Sequence, residues 1–103
     1  MEQIIFSLIS YSGEAKSYCM EAMALARAGQ FKEAHEKIEL AEECLLKAHQ
    51  SQTSLIQNEA AGEKTEISLL LIHAQDHLMN TLTIKALAQE IMALSKMILE
   101  KQS

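Results

Sequence analysis

Arg27-Ala28-Gly29-Gln30-Phe31 is the first of two breaks in a chain that otherwise keeps a helical period. Gly29 is placed to cap the end of a helix, and Arg27 to supply a cation in its last turn. Before the break, Ile5, Leu8, Ser12, Ala15, Cys19, Ala22 and Ala26 recur at alternating spacings of three and four. Ile4, Tyr11, Tyr18 and Leu25 recur every seven residues on the adjoining stripe. This period predicts a helix over residues 2–28 that packs lengthwise against neighbours. Gly13 interrupts it and costs about 1 kcal/mol against Ala, so a close helix contact is expected there.

After the break, Phe31, Ala34, Ile38, Ala41, Leu45, Ala48, Gln52 and Leu55 carry a heptad pattern over residues 31–59. Its outer positions are charged, with Lys32, Glu33, Glu36, Lys37, Glu39, Glu42 and Glu43, and read as a solvated face. Ala60-Ala61-Gly62-Glu63-Lys64 is the second break. Thr65 is the expected N-cap of a third helix over residues 65–100. Short connections between long helices force neighbours antiparallel, so the expected fold is all-α, an up-down-up three-helix bundle. The turn around Gly29 resembles one tetratricopeptide helix pair. That architecture needs at least about three stacked repeats for stability, and only one such turn is present.

Composition agrees. The 103 residues include no Pro, three Gly and only four Phe or Tyr, and have room for one small domain, residues 1–103. Helix formers dominate and strand formers are scarce. The net charge of −5 argues against nucleic acid and anionic membranes as partners. Two cysteines, Cys19 and Cys44, are too few for a disulfide scaffold and read as small buried thiols. Met1-Glu2-Gln3-Ile4-Ile5-Phe6 lacks the basic region of a secretion signal, and no apolar run approaches the ~20 residues of a membrane span. A soluble, cytoplasmic chain is expected.

On the third helix, ~100° per residue puts Leu69, Leu70, His73, Asp76, His77, Asn80, Ile84, Leu87, Ala88, Ile91, Leu94 and Ile98 on one stripe. This is the expected main packing seam, with the two histidines and Asp76 as a polar band inside it. Over residues 67–82 the opposite face is apolar too, with Ile67, Leu71, Leu78 and Leu82. Two partner helices cover one broad face, so the opposite face is expected to meet another subunit or a binding partner.

Four readings of His73, Asp76 and His77 stand. They can be satisfied structural residues, as His35 and His49 are taken to be, although burying them without partners is costly. They can hold a metal, since His at i and i+4 with Asp at i+3 falls in one arc. The Glu-x-x-His motifs of di-iron bundles are missing, which leaves a metal shared by Asp residues of several subunits. His can be a nucleophile, because neutral imidazole accepts a phosphoryl group at pH 7. A hydrolase would want a Ser or Cys beside the base, and no such pairing stands out.

His73-Ala74-Gln75-Asp76-His77-Leu78-Met79 resembles the signature of the IIA component of the lactose/cellobiose class of the bacterial sugar phosphotransferase system. The likeness extends through Tyr11-Ser12-Gly13-Glu14-Ala15-Lys16, Gly29-Gln30-Phe31, Ala48-His49-Gln50-Ser51-Gln52-Thr53 and Ala61-Gly62-Glu63. It implies a homotrimer of three-helix subunits. It makes His73 the phosphoryl carrier, loaded by the phosphocarrier protein HPr and unloaded onto a cysteine of the cognate IIB component. The membrane IIC component would then be an indirect partner. It places Asp76 near the trimer axis, where three copies share one Mg²⁺, and gives His77 a supporting role. It suggests the ε2 nitrogen of His73 as the acceptor and a β-disaccharide (cellobiose, lactose or chitobiose) as the sugar. The competing expectations are a helical interaction module without chemistry, its His73, Asp76 and His77 in the core, and a metal-dependent enzyme.

Overall fold

The computed structural model describes residues 2–102; the terminal Met1 and Ser103 of the expected domain lie outside them. The chain forms α1 (Glu2–Arg27), α2 (Phe31–Ala60) and α3 (Leu69–Gln102), with no strand among the described residues. The rod measures 60 × 19 × 17 Å. α1 lies along both other helices, whereas α2 and α3 meet only over a short stretch.

Both turns are Schellman motifs. Gly29 sits at φ +80° and Gly62 at φ +88°, in the left-handed region where glycine carries no Cβ penalty. The Gly29 and Gln30 amides donate to the Ala26 and Leu25 carbonyls at 3.0 and 2.9 Å. Gly62 and Glu63 repeat the pattern onto Glu59 and Asn58 at 3.1 and 3.0 Å. The third helix starts at Leu69 rather than at Thr65. Ser68 is the residue that caps it: its Oγ accepts from the Leu71 amide at 3.1 Å, and its carbonyl from Ile72 at 3.1 Å.

The predicted stripe of α1 is the buried one: Ile5, Leu8, Ser12, Ala15, Cys19, Ala22 and Ala26 are all enclosed. Ile4, Tyr11, Tyr18 and Leu25 flank it half-buried. α2 buries Ala34, Ile38, Ala41, Cys44, Leu45, Ala48 and Leu55 as its heptads require, while Phe31 and Gln52 lie at its margin. The charged outer face is solvated, and its cations fold back over α1. Lys37 Nζ lies 3.3 Å from Glu21 Oε2 and 5.5 Å from the Tyr18 ring centre, and Lys47 Nζ lies 5.3 Å from the Tyr11 ring centre. Such exposed contacts each add a few tenths to about 1 kcal/mol. Cys19 and Cys44 are free, buried thiols, as expected.

α3 turns a different face inward from the one predicted. Its buried residues are Leu71, Ala74, Leu78, Thr81, Ala88 and Met92. That stripe is centred about one residue step, ~100°, around the helix from His73. The expected packing seam is instead largely exposed in the subunit, with Leu69, Leu70, His73, Asp76, Leu87, Ile91, Leu94 and Ile98 all open to solvent. Leu71, Leu78 and Leu82, expected to meet a partner, pack within the chain. Residue size gives the reason. Ala74, Thr81 and Ala88 are short enough to let α3 approach the Ser12–Ala15–Cys19–Ala22 stripe of α1 closely. Separation between packed helices is set by the side chains at the contact. The closeness is fixed by a buried hydrogen bond in which Thr81 Oγ1 donates to the Ser12 carbonyl at 3.1 Å.

Candidate functional site

The His73–His77 stretch lies in the second and third turns of α3, one turn after the Ser68 cap. Spacing of four residues puts both imidazoles on one side of the helix. Their rings are stacked, with centroids 6.1 Å apart and planes within 7° of parallel. That separation lies in the range of favourable aromatic pairs. His73 is exposed, whereas His77 is half-buried between α3 and α1. The His77 ring lies over the one helical position of α1 that has no side chain: a Cβ on Gly13 would stand 3.4 Å from His77 Nε2. The close helix contact expected at Gly13 is therefore the approach of His77.

Asp76 is exposed, and its Oδ2 accepts from Asn80 Nδ2 at 3.4 Å, a long and weak contact. The neighbour Gln75 points towards α2, where Gln52 Nε2 donates to Gln75 Oε1 at 2.8 Å. This bond spans the helix pair that otherwise touches least, so it braces the turn that carries the histidines. The heptad reading had marked position 52 but not its partner. A polar residue at a heptad core position was the available signal.

The expectation that His73 and Asp76 are embedded in a packed seam fails within the subunit, because both are exposed. The reading of the trio as structural core fails with it: only His77 is partly enclosed. His35 and His49, taken as satisfied structural residues, are exposed on α2 instead. Among the described residues, no three His, Cys, Asp or Glu side chains gather where they could hold a metal. One subunit thus brings a single carboxylate, Asp76, to its apolar seam.

Chemically, the arrangement offers an accessible imidazole on a helix, with a second ring parallel to it one turn along. An exposed imidazole can reach a group presented by another macromolecule, and rigid placement lowers the entropic part of the barrier. Around it lie exposed apolar side chains suited to a macromolecular contact: Leu69, Leu70, Ile72 and Met79. Among the described residues, no helix is long and apolar enough to cross a membrane.

The chain matches known proteins over nearly its full length. Residues 3–96 match the family model described as PTS system, lactose/cellobiose specific IIA subunit. The lichenan-specific phosphotransferase enzyme IIA component of Bacillus subtilis is 54% identical over 99% of this chain and 93% of its own length. The lactose-specific EIIA component of Streptococcus mutans is 41% identical over 88% of each chain. The crystal structure of the cellobiose-specific enzyme IIA from Bacillus anthracis superposes with a TM-score of 0.95 at 55% identity, over 97% of this chain and 92% of that one. The chitobiose IIA of Escherichia coli, solved in complex with HPr, superposes at 0.82 with 34% identity over 94% of each chain. With the family model, the fold and these relatives in agreement, the chain belongs to the lactose/cellobiose-specific IIA family of the phosphotransferase system, whose members are phosphotransferase relay proteins of sugar uptake.

Proposed function

We propose that this chain is the cytoplasmic phosphoryl carrier of a β-disaccharide phosphotransferase system, with His73 as the carrying residue. The observation that carries this reading is the exposed His73 imidazole, held parallel to His77 on a braced helical turn. A neutral ring nitrogen attacks the phosphorus of phospho-HPr. A P–N bond to His73 forms as the bond to the donor breaks, and the ring proton is lost to solvent. A cysteine thiolate of the IIB component then attacks the same phosphorus, forming a P–S bond as the P–N bond breaks, and the leaving ring takes a proton back from solvent to regenerate neutral His73. Phosphoryl transfer asks for in-line positioning and charge stabilisation more than for covalent machinery, so an exposed, oriented ring is sufficient equipment. HPr as donor is supported by the superposition on the chitobiose IIA that was solved with HPr. The relatives act in lichenan, lactose and oligo-β-mannoside systems, which supports a β-linked oligosaccharide as cargo. The test is incubation with phosphoenolpyruvate and the general relay proteins. The wild-type chain takes up one acid-labile phosphoryl group, and label on a His73→Ala variant overturns the assignment.

The working unit in this reading is a homotrimer. Its support is the exposed apolar seam of α3, in which Leu87, Leu94 and Ile98 remain about half accessible and Ile91 over a third. Asp76 lies on that same side, and its exposed carboxylate is the hard oxygen donor that Mg²⁺ prefers. One carboxylate per chain fits such an ion only when copies meet, and three would then share one Mg²⁺. The ion would supply charge neutralisation at the assembly axis. Without it, three converging carboxylates repel, so chelation with EDTA should loosen the trimer in sedimentation velocity. Asp76→Leu should keep or tighten assembly and remove its response to chelation, since an apolar replacement of buried charge is often neutral or better. A wild-type chain that sediments as a monomer under all metal conditions overturns the shared site.

A further inference from the structure

Gly13 stands in the middle of α1, where helix propensity favours Ala over Gly. Its backbone is not in the left-handed region, which among the described residues holds only Gly29 and Gly62. No conformational demand therefore requires glycine at position 13. Within 4 Å a Cβ there would meet a single neighbouring atom, His77 Nε2 at 3.4 Å. The glycine costs helix stability, and its visible consequence is room for one imidazole nitrogen.

We propose that Gly13 is a positioning residue for phosphoryl transfer: its bare backbone seats the His77 ring, and that ring orients His73. This rests on His73 being the acceptor. Three further contacts tie the seat to the reacting ring. His77 stacks on His73 at 6.1 Å and 7°. One turn beyond His77, the Thr81 hydroxyl is bonded to the carbonyl of Ser12, the residue next to Gly13, which pins α1 and α3 in register beside the seat. On the other flank, Gln52 holds Gln75 at 2.8 Å, which resists movement of the turn away from α2. The His77 ring thus lies between the Gly13 backbone and His73, on a helix held in register with α1 beside it and tied to α2 on its other flank. A methyl group on residue 13 would meet Nε2 at 3.4 Å, the tight end of ordinary contact, and take up the clearance in which the ring now moves, displacing it by at most a few tenths of an ångström.

The discriminating experiment uses the full-length chain and Gly13→Ala. By helix propensity alone the variant should be as stable as wild type or more so, which urea unfolding reads. Its phosphorylation by phospho-HPr should slow about threefold, since a shift of a few tenths of an ångström is a fraction of the 1 Å misplacement that can cost ~10²-fold. In a His77→Asn background the same Gly13→Ala change should slow transfer no further. In the unmutated protein, the Gly13 α-protons should show Overhauser contacts to the His77 ring, which keeps the proposal testable if the variant does not fold. Missing contacts, an unchanged rate in Gly13→Ala, or equal slowing with and without the His77 ring each overturn the role of Gly13. An unmutated chain that takes no label overturns the acceptor reading and this role with it. A labelled wild type beside an unaffected Gly13→Ala overturns this role alone.

Discussion

The two faces of α3 share one helix and differ in what they do. The inward face is narrow and mostly short: Ala74, Leu78, Thr81 and Ala88 carry no exposed surface. The other face is bulky and open, with Leu69, Leu70, Leu87, Ile91, Leu94 and Ile98 exposed around His73 and Asp76. Judged by hydrophobicity, the open face is the better core. Judged by fit, it is the worse one, because the facing stripe of α1 is Ser12, Ala15, Cys19, Ala22 and Ala26. Two small-residue stripes can approach closely and gain dispersion contacts that two bulky ones cannot. The large aliphatic residues are left for another surface, and the histidines are left beside it.

The sharpest way to break that comparison is to cut the same side chain from each face. Leu78→Ala removes a fully buried leucine and should cost about 3 kcal/mol, within the 2–5 typical of such truncations. That is a large part of the 5–15 kcal/mol that holds a domain together, so the urea midpoint should fall steeply. Leu94→Ala, on the open face at 55% exposure, should move the single-subunit midpoint by less than about 0.5 kcal/mol. Equal losses at the two positions would show that the faces do not differ.

The next effect concerns association. Leu94→Glu places a charge in the open seam without touching the interior. If the proposed trimer forms through this seam, the variant should keep the helical circular dichroism of wild type and sediment as single subunits where wild type sediments as the trimer. Burying an unpaired carboxylate in an interface is costly enough to exclude it. If Leu94→Glu assembles as wild type does, the seam is not what the copies share, and the open face needs another occupant.

How much of this was legible follows the same division. The α1 stripe could be read residue for residue, because its apolar positions repeat on one face and the opposite face is polar. The turns could be read because only glycine accepts φ near +80° cheaply, and Gly29 and Gly62 are the sole interior glycines outside α1. The third helix could not be oriented, because it is apolar over most of its circumference and periodicity then points to no single face. Small residues held the missing signal: Ala74, Thr81 and Ala88 fall on one line and match the small stripe of α1. The start of α3 was misplaced because Thr65 and Ser68 are both acceptable caps, and only the hydrogen bond from the Leu71 amide to Ser68 distinguishes them. At the site, the motif identified His73, Asp76 and His77. Their exposure, the Gln52–Gln75 brace and the contact of His77 with Gly13 depend on three helices meeting, which no single stretch encodes.

The smallest expected effect probes the inward face from its far side. Burial pushes the Cys19 thiol above the ordinary value of 9.0, with nearby Lys85 opposing the shift. Burial also raises Cys44, helped by the charge of Glu14 and a hydrogen bond to it. A raised folded-state value means that the native chain holds its thiol protons more tightly than the unfolded chain does. The resulting stabilisation is complete below pH 9, and it fades as pH climbs from the unfolded-state value through the folded-state one. Urea midpoints measured between pH 8 and pH 11 should therefore fall more steeply for wild type than for a Cys19→Ala, Cys44→Ala double variant. Alkylation by iodoacetamide at neutral pH should be slow in the folded state and fast in urea, since both access and thiolate are withheld. Rapid native alkylation of Cys19 would mean that α1 and α3 part readily along their small-residue line. The close approach that selects which face of α3 turns inward would then be too loose to select anything.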